Sequence, residues 1–194
     1  MVHADHSLPS LARSIVTGSV GFGLVSLAVF ATVAFGERWM YNNLGLLGAY
    51  LAWTVLFILL SGAVFGSLVV GPWRLPKFYL LFGLAFFVYA ANWMFAYFTV
   101  RGTAGELVGS LAGSVLMAVV FAAGFESLRS TVKLSALLFV TNAVGYFLGA
   151  ALNNSIGGRP GMLLWGLAYG LFFGAGIGAA LHMVQKQRSE TGTG

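Results

Sequence analysis

The chain has no cysteine. That excludes disulfides, thiolate metal sites, haem attachment through a CxxC pair and a cysteine nucleophile. Charge is also scarce: Asp, Glu, Lys and Arg make up 8% of the 194 residues, against roughly 25% in an ordinary soluble domain. So few polar residues cannot cover the surface of a water-soluble fold. Proline is nearly missing. Pro9, Pro72, Pro76 and Pro160 all fall in expected loops or at helix starts, where the absent N–H does no harm. The midplane helix breaks by which many secondary transporters bind substrate are therefore not signalled. The sequence contains no P-loop, HExxH or GxSxG. Gly174-Ala-Gly-Ile-Gly lies inside an apolar stretch, with no strand before it, and does not read as a dinucleotide loop.

Six long apolar stretches fill nearly the whole chain, which is 59% hydrophobic. A helix needs about 20 apolar residues to cross roughly 30 Å of hydrocarbon. The expected spans are 14–35, 44–70, 76–100, 106–125, 134–152 and 162–184. They are too long and too continuously apolar for barrel strands. The connections are short, so consecutive helices should be antiparallel neighbours, and none can hold a separate domain. The sequence thus predicts an all-α membrane protein, a six-transmembrane-helix bundle over 14–184. An N-terminal segment, 1–13, precedes it, and a polar, disordered tail, 185–194, follows. The first stretch is longer than a signal-peptide core and has no small-x-small site after it, so it reads as an uncleaved anchor.

The formal charge is +5, but the cations form no patch, which argues against a nucleic-acid partner. Seven of the ten lie on one side of the predicted spans: Arg13, Arg74, Lys77, Arg129, Lys133, Lys186 and Arg188. Arg38, Arg101 and Arg159 lie on the other. Positive charge stays cytoplasmic, so both termini are expected inside, in the inner (plasma) membrane of a prokaryotic cell. Trp39 and Trp165 fall at the outer interface and Trp73 at the inner one, where indoles prefer to sit. Trp53 and Trp93 lie deeper.

Glycine is abundant, with 27 residues. Gly166, Gly170, Gly174 and Gly178 recur every four positions in the sixth span. Gly105, Gly109 and Gly113 open the fourth, Gly62 and Gly66 sit in the second, and Gly145 and Gly149 in the fifth. Such glycine-zipper faces let helix backbones approach closely in lipid. They suit packing within the bundle, an interface with a second copy or another membrane protein, or a pore lining. A faint three-plus-three repeat is also readable. Thr17-Gly-Ser-Val resembles Ala112-Gly-Ser-Val, and Leu81-Phe-Gly-Leu-Ala-Phe resembles Leu164-Trp-Gly-Leu-Ala-Tyr. With three helices per half, such a repeat is inverted.

Chemistry has few carriers. No Asp, Glu, Lys or Arg lies at the centre of a predicted span. Glu106 and Glu126 sit at opposite ends of the fourth, roughly 30 Å apart, and cannot act as a carboxylate pair. His3 and His6 near the N-terminus share a side with His182, a weak pattern for a metal or a pH sensor. No motif requires a metal or a cofactor. The stronger features are neutral. Asn142, Gly145, Tyr146, Gly149 and Asn153 share one face of the fifth span. Tyr89, Asn92, Trp93, Ala96 and Tyr97 align in the third. An amide in hydrocarbon must be hydrogen-bonded, so Asn92 and Asn142 should face inward. The two faces would either bond helix to helix or line a pocket for a small neutral or amphipathic molecule, which Tyr50 and Trp53 could complete. The preferred expectation is a small channel, carrier or binding protein without enzymatic activity. A non-catalytic accessory subunit of a membrane complex is the alternative. An enzyme acting on lipid would need Glu106, Glu126 or His182 at an interface.

Overall fold

The computed structural model describes residues 8–71 and 73–191. His3, His6 and Pro72 lie outside them, as do the last three residues of the expected tail. Five α-helices account for nearly all of the described chain: α1 Leu11–Phe65, α2 Arg74–Thr99, α3 Gly102–Gly124, α4 Thr131–Ile156 and α5 Gly158–Thr191. A single 3-10 turn, Leu128–Ser130, leads into α4, and no strand occurs among the described residues. All five helices are long and apolar enough to cross a membrane. Their outward side chains include Leu80 (71% exposed), Phe95 (69%) and Val132 (80%). Water does not tolerate apolar exposure on this scale in a soluble monomer; it is the surface of a membrane protein.

The sequence predicts six helices where the structure has five, and α1 accounts for the difference. The expected loop at 36–43 is helical, and α1 runs for 55 residues, which a straight helix would stretch to about 83 Å. It is not straight. Gly45 has φ +67° and ψ 177° inside it, a conformation essentially confined to glycine. The rings of Phe22 and Phe65 are 5.6 Å apart, whereas a continuous helix would separate them by about 64 Å. The chain therefore reverses at Gly45, and 11–44 packs back against 46–65. The reversal falls beyond the charged Glu37-Arg38 pair because glycine, and not polarity, permits the turn.

The other boundaries also move. Ser10 caps α1 by accepting from the Arg13 N–H at 3.2 Å. The chain leaves helix at Gly66, before the expected end at 70. The connection expected at 153–161 contracts to Gly157, which has φ +72°. Pro76 and Pro160 lie in first helical turns.

A larger correction concerns the tail. Residues 185–191 belong to α5. Gln185 is buried, and its Nε2 donates to the Leu68 and Leu181 carbonyls, each at 3.0 Å. Its Oε1 accepts from the Val70 N–H at 2.8 Å. Ser130 also hydrogen-bonds to Gln187. The polarity that reads as disorder instead satisfies backbone groups released where α1 ends.

The two arms of α1 and the four other helices close into a ring. Between the first arm and α5 two rows of every-fourth residues face each other. A Cβ on Gly174 would strike the Gly18 carbonyl, and one on Gly178 the Ser14 carbonyl. One on Gly170 would lie 2.5 Å from Ser26 Cβ, and one on Gly166 2.5 Å from Phe30 Cβ. Gly109 sits against Trp93, with 3.1 Å from the built Cβ to its Cα, and Gly145 against Tyr169, with 3.0 Å to its carbonyl. Gly62 and Gly66 meet Tyr79 and Leu75 of α2. These faces are thus filled within the chain. First arm on α5 and α3 on α2 are the helix pairs that a three-plus-three exchange would interchange.

The middle of the ring is aromatic. Phe22, Phe65, Phe82 and Phe173 are fully buried. Phe22 lies 5.5 Å from Phe57, 6.4 Å from Phe86 and 6.1 Å from Phe173. This plug fills the half of the bundle nearer the end at which both described termini lie. There His182 Nδ1 is 2.9 Å from the Pro9 carbonyl oxygen, and Arg188 approaches Glu126 at 3.9 Å.

Candidate functional site

Above the plug, toward the Gly45 end, the ring forms a half-open cavity of about 290 Å³. This lies at the small end of the range for ligand pockets. The first arm of α1 contributes Phe30, Val33, Glu37 and Tyr41, at helical spacing along one face. The second arm contributes Tyr50, Trp53, Thr54 and Phe57. α2 adds Phe86, Tyr89, Ala90, Trp93 and Met94, α4 adds Tyr146, and α5 adds Met162, Trp165 and Tyr169. Eleven of the eighteen lining residues are aromatic, so the walls are flat, stiff and weakly polar, and shape more than hydrogen bonding sets what fits. The floor is the plug itself, since Phe57 and Phe86 are 5.3 Å apart and Tyr89 lies 5.4 Å from Phe173. In this conformation the path toward the terminal end is filled.

Three of the pocket residues predicted from sequence, Tyr89, Trp93 and Tyr146, stand in this wall. The three asparagines do not. Asn142 is fully buried behind the wall, and its Oδ1 accepts from the Tyr89 hydroxyl at 2.8 Å. Asn92 Nδ2 reaches the Gly109 carbonyl at 3.5 Å, a long contact between α2 and α3. Asn153 sits beside Gly161 at the α4–α5 turn, 2.8 Å from that residue's built Cβ to its Oδ1. Asn142 and Asn92 thus connect helices, and Tyr89, Trp93 and Tyr146 on the same faces line the space. Ala96 packs on Gly109, and Tyr97 stacks on Trp93 at 5.0 Å.

One expected outcome follows. Asn142→Leu leaves the Tyr89 hydroxyl without its acceptor in a dry interior, and no ligand contact is lost directly. Such bonds between membrane helices contribute about 1 kcal/mol. Reversible unfolding in mixed micelles should show a loss of about that size. An unchanged stability would mean the pair contributes nothing.

The charged residues raised by the sequence do not converge. Glu106 accepts from the Tyr146 hydroxyl at 3.1 Å, near the cavity. It is the fifth residue of α3, which starts at Gly102. Glu126 and His182 belong to the opposite end. Among the described residues no three His, Asp or Glu side chains gather as a metal site would require. Trp39 and Trp73 are exposed (64% and 80%) near helix ends, whereas Trp165 turns into the cavity wall.

Glu37 and Tyr41 are among the lining residues that the sequence did not reveal. They fall in the stretch assigned to a loop. The signal was present in the spacing, since Phe30, Val33, Glu37 and Tyr41 continue one helical face straight through it. Two indoles also stand out. Trp53 and Trp165 both line the cavity, and the Nε1–H of each is buried without an acceptor among the described residues. Buried donors of this kind are normally paired.

No protein-family model, curated protein or solved structure matches the chain.

Proposed function

We propose that the chain is a six-crossing membrane protein that binds a small amphipathic molecule in the aromatic cavity, as a carrier or binding protein. The cavity carries this reading: a bundle meant only to pack would fill its centre at both ends, and this one fills only the terminal half. The sixth crossing comes from α1, whose arms on either side of Gly45 are each long enough for about 30 Å of hydrocarbon. The excess of Lys and Arg at the terminal end favours placing that end in the cytoplasm. The cavity then faces the outer side, and the phenylalanine plug separates it from the inner one. The accessory-subunit reading calls for a glycine face left bare, and each face predicted from the sequence is already occupied by a neighbouring helix.

Ala90 provides the test. It lines the cavity and is half-buried, so Ala90→Phe inserts a ring into the empty space without opening a new one. Screening amphipathic compounds against the protein in nanodiscs should find ligands whose affinity drops at least tenfold in the variant, with unfolding stability unchanged or raised. Ligands that bind the two proteins equally would place the binding site elsewhere.

A further inference from the structure

The cavity has one charged wall residue. Of the eighteen side chains that line it, Glu37 alone carries a formal charge at neutral pH, and no Lys, Arg or His is among them. The cations at that end are engaged elsewhere or lie outside the wall. The Arg159 guanidinium sits 5.0 Å from the centre of the Phe35 ring, and among the described residues no ion pair joins a cation to Glu37. The walls around Glu37 are mostly aromatic rings. Tyr41 follows it by one helical turn, and the Tyr41 and Tyr50 rings each stand edge-on to Trp53, at 5.8 and 5.6 Å.

These features discriminate among ligand charges. An anion would meet a carboxylate and aromatic rings, with no cationic side chain among the described lining residues. A wholly neutral ligand would fill the space and gain nothing from Glu37. A compact organic cation is attracted by both, because ring quadrupoles draw a cation to their faces and the exposed Glu37 carboxylate stands in the cavity wall. We infer that the cavity is a site for a small organic monocation of the quaternary ammonium or protonated amine class, its charge beside Glu37 and its apolar body among Tyr50, Trp53, Phe57 and Trp93. The inference rests on the cavity reading above and adds the charge of the ligand to it.

The probe pair is phenyltrimethylammonium and tert-butylbenzene, which have the same shape and differ by one positive charge. Binding of each is measured to the full chain in nanodiscs, with empty nanodiscs subtracted to remove partitioning into lipid. The cation should bind at least about tenfold more tightly than the hydrocarbon, the size of effect that several desolvated ring faces and a carboxylate supply together. Glu37→Gln should weaken the cation about fivefold and leave the hydrocarbon unchanged. Glu37→Asp, which keeps the charge, should restore most of the preference. Ala90→Phe should abolish binding of both. Equal affinities that do not respond to Glu37→Gln would overturn the assignment of charge and leave the cavity reading intact. Binding of neither probe above the level of Ala90→Phe would overturn both.

Discussion

Gly174→Leu is expected to leave little folded protein. A Cβ at this position would run into the Gly18 carbonyl and come within 2.6 Å of Phe22 Cβ. Backbone stands on one side and the central phenylalanine on the other, so no flexible side chain can yield. Overpacking a tight interior costs about 1–3 kcal/mol when neighbours can shift. Here the first arm and α5 would have to part along their whole contact, and a loss of at least about 3 kcal/mol is expected. Unfolding by SDS titration from mixed micelles would measure it, together with the monodisperse fraction after extraction. Gly83→Ala is the control, since its Cβ would meet only Ile58, at an ordinary 3.5 Å. Wild-type stability for Gly174→Leu would mean that the first arm does not pack on α5 as described.

The second large effect is expected at Gly45. Its φ of +67° with ψ near 180° lies where a β-branched residue clashes with its own backbone, at a cost of about 1–3 kcal/mol. Space is not the obstacle, because nothing lies within 4 Å of a built Cβ. Gly45→Val should therefore destabilise through the backbone alone, and it should also loosen the cavity, whose walls come from both arms that the turn joins. Gly36→Ala gives the complementary result. Gly36 is within the helix, with open space around its Cβ, so alanine should stabilise by up to about 1 kcal/mol. Were 36–43 a loop, Gly45→Val would be harmless and Gly36→Ala would bring no helical gain. Thermal unfolding of the two variants side by side separates the alternatives.

The turn at Gly45 also shows why the helix count was difficult to read. Glu37, Arg38, Asn42 and Asn43 interrupt hydrophobicity, and interrupted hydrophobicity is how a loop is recognised in a membrane sequence. A helix end near an aqueous interface carries polar residues equally well. The same ambiguity applies to 185–190. Gln185 is polar because it holds the end of α1, while Lys186 and Glu190 are exposed, and composition alone does not separate the two roles.

Of the residues marked on the two sequence faces, Tyr89, Trp93 and Tyr146 line the cavity and the asparagines stand outside its wall. Tyr89 and Asn142 are each on a predicted polar face, and they do meet, at 2.8 Å. An amide in hydrocarbon signals only that a partner exists. Whether that partner is a ligand or a neighbouring helix depends on what stands opposite. Opposite Asn142 stands a tyrosine hydroxyl, and the empty space lies on the far side of that ring.

The sequence by itself determined the solvent and the element type, because about 20 apolar residues in lipid have to satisfy their backbone internally and do so as helices. It also determined which faces could pack closely, because small residues, glycine above all, let helix backbones approach at every fourth position. Only the tertiary structure decided that the chain reverses at Gly45, that the glycine rows face helices of the same chain, and that phenylalanines fill one half of the ring while Glu37 and the aromatic walls surround a void in the other. Those outcomes depend on which residues from distant segments share one volume, and one-dimensional periodicity places residues on a face without stating what that face meets.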